Sequence, residues 1–411
     1  MGRLTVPLLT FLAVMGPGII TANVDNDAGG ITTYSVAGAT LGYQLLWLFL
    51  PITLALIVIQ EMSARMGAAT GKGLAALLRE RYGVRVVLLI LLGLVLTNLA
   101  NTISEFAGIA ASTELFGLSK YLSVPLAGLL VWGMVVKGSY RYVERIFLAA
   151  SALYVSYVIS GLLARPNWEE VYHSLFIPSF SLEKNYLTIF IGLVGTTIAP
   201  WMQFYIQSAV VEKGISMEQY RHSRLDVIVG CFMTDLIAVF IVVACAATLY
   251  QHQVSIETAG DAAMALQPLA GRWASQLFAF GLLNASIFAA AILPLATAYS
   301  LCEALGFEAG LDKNWAEAPV FYWVYTALIA TSVGFILLPG LPLIAVMFWS
   351  QVANGFLLPV TLAFMLDLAN TPDIMGKYTN SPGFNAVAWA TTLLMAGMSL
   401  LLVVYSSLSR A

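Results

Sequence analysis

Apolar stretches long enough to cross a lipid bilayer recur along the whole chain and constrain its fold more than any other feature. A helix needs about 20 apolar residues to span roughly 30 Å of hydrocarbon. The chain is 60% hydrophobic and only 10% charged, whereas soluble domains are about 25% charged, so we predict an all-α polytopic membrane protein. Eleven segments are predicted to cross: about 5–38, 42–66, 86–116, 122–137, 146–164, 185–212, 226–250, 273–305, 319–338, 342–368 and 384–408.

The first of these segments is interrupted by acidic and glycine-rich sequence, Gly16-Pro17-Gly18 and then Asn23-Val24-Asp25-Asn26-Asp27-Ala28-Gly29-Gly30. A carboxylate inside a membrane span costs about 2.5–3.5 kcal/mol on insertion scales and therefore indicates a functional site. Glycines allow the helix to open and expose carbonyl groups, as at the cation sites of several secondary transporters. We predict a broken helix with Asp27 as a cation ligand, joined by Asp25 if the unwound segment turns both carboxylates inward. A loop between two short buried helices is the alternative.

The sixth segment carries a second interruption, Gly195-Thr196-Thr197-Ile198-Ala199-Pro200-Trp201. Proline removes a backbone donor and clashes with the carbonyl one turn back, which frees carbonyl oxygens inside the span. We predict that the Thr196 hydroxyl or carbonyl and the Ala199 carbonyl line the same site. Thr197 and Trp201 are predicted to line the adjoining cavity.

Two interrupted spans, the first and the sixth, are typical of a five-plus-five inverted repeat in which the substrate binds between the two breaks. We predict one transmembrane domain over residues 1–411, with repeat one at about 5–165, repeat two at about 185–368 and an extra helix at about 384–408. Further polar residues inside predicted spans, Glu105, Asp235 and Gln351, are candidates for the ion pathway or the site because they demand a partner or a water-filled cavity.

The distribution of basic residues predicts the orientation in the membrane. With a cytoplasmic N-terminus, fourteen of the 19 Lys and Arg residues fall on the cytoplasmic side, so the C-terminus is expected outside. No basic cluster or basic–aromatic stripe indicates a nucleic-acid surface. The start of the chain lacks the small-residue cleavage site of a signal peptide, and we therefore expect the first span to be retained.

Several motifs and their spacing resemble the NRAMP divalent-metal transporters. They are Gly16-Pro17-Gly18, Asp27-Ala28-Gly29-Gly30, Gly42-Tyr43-Gln44-Leu45-Leu46-Trp47 and Ala69-Thr70-Gly71-Lys72. The similarity extends through all eleven segments and implies a LeuT-like fold. It places the first-span aspartate of the family on Asp27, its sixth-span Met-Pro-His motif on Ala199-Pro200-Trp201, and its tenth-span glutamine on Gln351.

The chain departs from the family at several of the implied functional positions. The asparagine ligand becomes Gly30 and the metal-binding methionine becomes Ala199. In the third span the aspartate of the proton route becomes Thr102, while its glutamate is kept as Glu105. The two family histidines become Trp201 and Ile206.

This combination resembles the NRAMP-related magnesium transporters, a divergent branch. Thioether sulfur favours soft transition metals, whereas carboxylates, carbonyls and water suit Mg²⁺, which keeps several waters when bound. The resemblance implies a transporter that imports Mg²⁺, and also Mn²⁺, by alternating access and without proton coupling. It further implies a prokaryotic plasma membrane, a monomer, and no cofactor other than the transported cation.

Other functions remain open at this stage. They are a proton-coupled Mn²⁺ or Fe²⁺ transporter, a carrier of a metal–organic acid chelate, and a symporter of a small organic solute. A chelate carrier would need an intramembrane arginine for carboxylates, and the sequence has none outside loop and interface positions. A membrane enzyme is disfavoured, because neither a His-Glu-X-X-His nor a Gly-X-Ser-X-Gly motif occurs.

Overall fold

A computed structural model describes residues 17–137 and 154–408, and all regular secondary structure in these ranges is helical. Eight helical stretches of the described ranges are long and apolar enough to cross a membrane, the first Leu46–Thr70 and the last Pro382–Ser407. The chain is an integral membrane protein of the all-α class. The α-helices are α1 Pro17–Asp25, α2 Ala28–Leu41, α3 Phe49–Thr70, α4 Leu74–Glu114, α5 Lys120–Val136, α6 Val155–Leu163, α7 Trp168–Phe176, α8 Lys184–Thr197, α9 Pro200–Glu212, α10 Tyr220–Cys245, α11 Ala259–Ala263, α12 Gln267–Ala270, α13 Ala274–Leu305, α14 Pro319–Ile336, α15 Leu343–Asn370, α16 Pro372–Met375 and α17 Pro382–Leu408.

Eight of the predicted spans correspond to these eight stretches. The other three are the broken first span, the 17-residue α5, and the fifth span, of which α6 is the described part. Residues 5–16 of the first predicted span and 146–153 of the fifth lie outside the described ranges, as do Arg3, Arg141, Arg145 and Arg410 of the orientation argument. The count of eleven spans and the inverted repeat therefore stay predictions.

Both predicted helix breaks are present. Helix α1 ends at Asp25 and α2 begins at Ala28, and between them Asp27 has an extended backbone (φ −71°, ψ −175°). Helix α8 ends at Thr197 and α9 begins at Pro200, with Ala199 extended (φ −70°, ψ 139°). Proline at the first position of α9 has no N–H to give to the carbonyl of Thr196 one turn back, which ends α8 there.

Glycines let the broken helices approach their neighbours closely. A Cβ on Gly195 would lie 2.3 Å from the Gln351 carbonyl oxygen, so α8 and α15 pack backbone against backbone. A Cβ on Gly18 would lie 2.6 Å from the Val227 nitrogen, so α1 lies equally close to α10. Such contacts are typical of membrane helices, where small residues at the interface maximise van der Waals packing.

Two connecting regions contain helical structure of their own. Residues 165–184, between the fifth and sixth predicted spans, contain α7, whose N-terminus is capped by the Asn167 side chain. Asn at the N-cap followed by Glu169 and Glu170 in the first turn is a helix-start signal that explains this helix. Closer to the N-terminus, α4 bends at Gly83 (φ 79°). This glycine separates the initial turns of α4 from its long apolar part.

Candidate ion-binding site at the helix breaks

Asp27 caps the N-terminus of α2 and lies at the centre of the first break. Its Oδ1 accepts a hydrogen bond from the Gly30 N–H at 2.6 Å, and its carbonyl oxygen accepts from Ile31 N at 2.9 Å. The side chain is buried, with 4% of the residue exposed. A helix N-terminus stabilises negative charge through its free N–H groups and its dipole. The break can therefore hold a charged aspartate inside the membrane.

Glu105 reaches the same helix terminus from α4. Its Oε2 accepts from the Ala28 N–H at 3.2 Å, and its carboxyl group lies close enough to that of Asp27 for the two to interact. In the described part of the chain its Oε1 has no hydrogen-bond partner. Glu105, predicted only to line the ion pathway, is thus a direct neighbour of Asp27. Thr102, one turn earlier, donates its hydroxyl to the Asn98 carbonyl at 2.7 Å.

Gly30 shows how closely the two breaks meet. A Cβ on Gly30 would lie 2.4 Å from the Asp25 carbonyl oxygen, 3.3 Å from Thr196 Oγ1 and 3.4 Å from Asp27 Oδ1. Three oxygen atoms from α1, α8 and the first break therefore converge at this glycine. Thr196 and Asp27 lie together, in the arrangement that the sequence predicts. Gly30 itself gives its N–H to Asp27 and leaves room, and an asparagine at this position would clash with the end of α1.

Gln351 packs its side-chain amide directly on the first break. A Cβ on Gly29 would lie 1.8 Å from Gln351 Nε2, so only glycine fits there. Gln351 Oε1 accepts from Asn354 Nδ2 at 2.9 Å, and its Nε2 donates to Ser350 Oγ at 3.2 Å. Asn101 on α4 joins the same amide network by accepting from Asn354 Nδ2 at 3.1 Å. The interhelical network orients Gln351 and occupies its oxygen.

The Ala199 carbonyl is already hydrogen-bonded. It accepts from Met202 N at 3.1 Å and, in the amide orientation that satisfies both groups, from the Gln203 side-chain nitrogen at 2.8 Å. The carbonyl that Pro200 deprives of its helical donor is that of Thr196. Thr196 therefore offers both a hydroxyl and a released carbonyl at the second break, and it is the better oxygen donor of the two.

Thr197 and Trp201 lie in packed surroundings on either side of the second break. The Thr197 hydroxyl lies 2.9 Å from the Tyr34 hydroxyl and donates to the Leu193 carbonyl at 2.9 Å. Trp201 is 1% exposed, and its ring lies 6.1 Å from that of Tyr205. Both residues flank the predicted site, and each side chain has its own contacts within the protein.

Asp25 faces a different helix from Asp27. It ends α1, and its Oδ2 accepts from the Thr234 hydroxyl of α10 at 3.3 Å. Asn26 donates to the same hydroxyl at 2.7 Å. Asp235, the next residue on α10, is 3% exposed, and neither carboxylate oxygen has a hydrogen-bond partner among the described residues. The Asp27 side chain therefore lies on the side of Glu105, whereas the Asp25 side chain turns to Thr234 on α10.

The donor set is composed of oxygen atoms. Within residues 17–137 and 154–408 no group of three or more His, Cys, Asp or Glu side chains is arranged to hold a metal ion. A cation at the break would therefore need hydroxyls, backbone carbonyls and water to complete its coordination. Such a donor set suits hard divalent cations.

Comparison with known proteins decides the family. The family model described as "Natural resistance-associated macrophage protein-like", Nramp, matches residues 18–405. The chain belongs to the Nramp family. The Divalent metal cation transporter MntH of Deinococcus radiodurans is similar to this Nramp chain, at 28% identity over 94% of this chain and 88% of that protein.

Solved structures share the fold. The Eremococcus coleocola manganese transporter, in a complex with an aromatic bis-isothiourea substituted compound, superposes with a TM-score of 0.75 at 21% identity, over 96% of this chain and 86% of that one. Mhp1, a nucleobase-cation-symport-1 family transporter, superposes less closely, with a TM-score of 0.57 at 13% identity over 94% and 92% of the two chains. At these identities the likeness establishes the architecture of this Nramp protein.

The sequence analysis did not single out three buried asparagines, of which Asn101 and Asn354 hydrogen-bond to Gln351. Asn98 and Asn101 are spaced three apart in an apolar helix, and Asn354 follows Gln351 by three residues, so each pair shares a helix face. Asn98 Nδ2 donates to Thr297 Oγ1 at 2.8 Å, a separate hydrogen bond that links α4 to α13. Several amide side chains on one face of an apolar helix would have indicated a buried hydrogen-bond network.

Close packing at Gly30 gives a testable prediction. We expect Gly30→Ala to lower stability by about 1–3 kcal/mol, because the added methyl group overpacks the contact with the Asp25 carbonyl. The matched control is Gly133→Ala in α5, where an added Cβ meets nothing within 4 Å. Because alanine loses less backbone entropy than glycine on folding into a helix, this control should be more stable by about 0.5–1 kcal/mol. Thermal unfolding in detergent measures both, and equal melting temperatures would contradict the packing at the break.

Proposed function

We propose that this Nramp protein carries divalent metal ions across the membrane by alternating access, with Mg²⁺ as its main cargo and Mn²⁺ as a second. The observation that carries the proposal is the convergence of Asp27, Thr196 and the Asp25 carbonyl at Gly30. One carboxylate, one hydroxyl and backbone carbonyls form an oxygen-only surface between the two helix breaks. The printed names of the relatives, a divalent metal cation transporter and a manganese transporter, support a divalent cation as cargo.

Magnesium preference is proposed because the atoms that converge at Gly30 are oxygens. Ala199 stands at the position where the resemblance implies a methionine. Met202, the nearest methionine on α9, has its sulfur 3.5 Å from the side-chain nitrogen of Gln60 on α3. Soft thioether ligands select transition metals, whereas oxygen ligands suit Mg²⁺. Because Mg²⁺ keeps several waters, Asp27 and Thr196 would hold a largely hydrated ion.

The membrane setting follows from the same proposal. Eleven spans with a cytoplasmic N-terminus and an external C-terminus place α1 in the inner half of the first span. The proposed setting is the plasma membrane of a prokaryote, and the proposed working unit is a monomer without a resident cofactor. The protein acts as a carrier and not as an enzyme.

A carrier of a metal–organic acid chelate is the weaker alternative. Such a carrier would use arginine to bind substrate carboxylates. The buried Arg65 on α3 pairs with Glu61 at 3.3 Å, donates to Asn380 Oδ1 at 2.6 Å, and contacts the Tyr378 carbonyl. Its guanidinium group is therefore already bonded to Glu61, Asn380 and Tyr378, and none of these residues belongs to a helix break.

Uptake into proteoliposomes tests the proposed function. The purified full-length chain is reconstituted, and uptake of Mg²⁺, Mn²⁺ and Ca²⁺ is measured while the internal pH is recorded. We expect saturable Mg²⁺ and Mn²⁺ uptake that protein-free liposomes lack. Uptake of Mn²⁺ that an excess of Mg²⁺ fails to inhibit would contradict magnesium as the main cargo.

A substitution at the second break tests the basis of selectivity. Ala199→Met adds a soft thioether beside the oxygen donors, so we expect the ratio of Mn²⁺ or Cd²⁺ affinity to Mg²⁺ affinity to rise. Isothermal titration calorimetry with each ion gives the ratio. Ala209→Met, on the same helix and half-exposed, is the control for an added methionine away from the break. An unchanged ratio would mean that residue 199 does not face the ion.

A further inference from the structure

Two buried carboxylates lie together on the α10 side of the first break, apart from Asp27. Asp25 is 2% exposed and Asp235 is 3% exposed. Asp235 follows Thr234 on α10, whose hydroxyl donates to Asp25 Oδ2 at 3.3 Å, so the two carboxyl groups lie close enough to interact. None of the ion pairs in the described part of the chain includes either residue. Two buried carboxyl groups therefore lie near each other, and neither has a basic partner within residues 17–137 and 154–408.

Four oxygen atoms in this region have no hydrogen-bond partner among the described residues: Asp25 Oδ1, Asn26 Oδ1 and both oxygens of Asp235. The Thr234 hydroxyl accepts from Asn26 Nδ2 at 2.7 Å and donates to Asp25 Oδ2 at 3.3 Å, so it fixes both neighbours and has no proton left for Asp235. Thr53 lies beside Asp235 but donates its hydroxyl to the Phe49 carbonyl at 2.6 Å. Donors in the described part of the chain therefore leave these oxygens without a hydrogen bond.

Unpaired buried charges are costly unless a counter-charge or a metal ion compensates them. Two carboxylates and an amide oxygen are ligands of the kind that Mg²⁺ prefers, with water completing the coordination. We propose that Asp25, Asp235 and Asn26 form a second divalent-cation subsite, separate from the Asp27 site. Which divalent cation binds there rests on the proposed function. The transported ion occupies this subsite on its way to or from Asp27.

The orientation of the neighbouring groups explains why the two subsites are distinct. Asp27 turns to the N–H of Gly30 and lies beside Glu105, whereas Asp25 turns to Thr234 on α10. The described side chains form no cluster in which three carboxylates could bind one ion. Asp27 and Asp25 therefore belong to different subsites.

Counting bound Mn²⁺ by electron paramagnetic resonance tests the subsite on the purified full-length chain. We expect about two Mn²⁺ per wild-type chain and about one in Asp235→Asn, whose amide removes the charge but keeps the shape. Asp27→Asn should also bind about one, and the double variant none. Asp367→Asn changes the net charge equally at an exposed site, where the carboxylate pairs with Arg81, and should bind as the wild type does.

Thermal unfolding with Mg²⁺ provides a second measurement. Removing the repulsion between buried charges should leave metal-free Asp235→Asn at least as stable as the wild type, while its stabilisation by Mg²⁺ decreases. If Asp235→Asn does not fold, Asp25→Asn takes its place.

The results separate this inference from the proposed function. If Asp235→Asn binds as many Mn²⁺ ions as the wild type, the second subsite is overturned. It is also overturned if the wild type binds a single Mn²⁺ ion and Asp27→Asn binds none. If Asp27→Asn keeps full binding and transport while Asp235→Asn loses one ion, the proposed Asp27 site fails and the second subsite stands.

Discussion

Replacing Asp27 by asparagine is expected to abolish Mg²⁺ and Mn²⁺ uptake into proteoliposomes and leave the protein folded. Asp27 is the carboxylate at which both broken helices meet, so its loss removes the negative charge that holds the ion there. Asparagine caps helices about as well as aspartate, and the hydrogen bond from Gly30 N at 2.6 Å can therefore persist. The measurement is initial uptake rate compared with protein-free liposomes.

Folding of the variant is checked by size-exclusion chromatography and thermal unfolding. We expect a stability change within about 1 kcal/mol, because the N-cap is retained. Asp367→Asn is the matched control: it changes charge equally in an exposed ion pair with Arg81, whose contribution to stability is about 0–1 kcal/mol, and should transport normally. Near-normal Mg²⁺ uptake by Asp27→Asn would exclude Asp27 as the primary site.

The positions of the helix breaks were predictable because their causes are local. Proline at position 200 lacks an N–H, and aspartate followed by glycines favours an N-cap, so both boundaries follow from residue chemistry. The convergence of Asp27 and Thr196 was also predictable, since two interrupted spans in one repeat pattern place their breaks together.

Side-chain directions depend on partners from distant segments and were not predictable in the same way. The spacing of Asp25 and Asp27 leaves open whether both face one ion, and only Thr234 on α10 settles that Asp25 turns elsewhere. The Gln351 oxygen is occupied by Asn354, a choice among several amide partners that sequence spacing alone does not resolve. Glu105 likewise becomes a neighbour of Asp27 through the packing of α4 against the break.

Metal uptake into proteoliposomes is expected to proceed without stoichiometric proton movement. The positions of the two family histidines are occupied by Trp201 and Ile206, both at most 1% exposed and without a titratable group. Thr102 replaces the third-span aspartate, and its hydroxyl is bound to the Asn98 carbonyl at 2.7 Å. Glu105 is the remaining acid on that route, and neither Trp201 nor Ile206 offers a second titratable group to receive its proton.

A pH-sensitive dye inside the liposomes, with the membrane potential clamped, measures proton movement during Mg²⁺ uptake. We expect no metal-dependent acidification in the wild type, and Glu105→Gln should keep metal uptake, because glutamine can still accept from the Ala28 N–H. The control is Glu303→Gln, a half-buried carboxyl group on α13 that accepts from the Ser208 hydroxyl at 2.5 Å. Acidification that depends on metal, disappears in Glu105→Gln and persists in Glu303→Gln would make Glu105 a proton carrier. The shared position of Glu105 and Asp27 at the α2 N-terminus would then be the point where metal and proton compete.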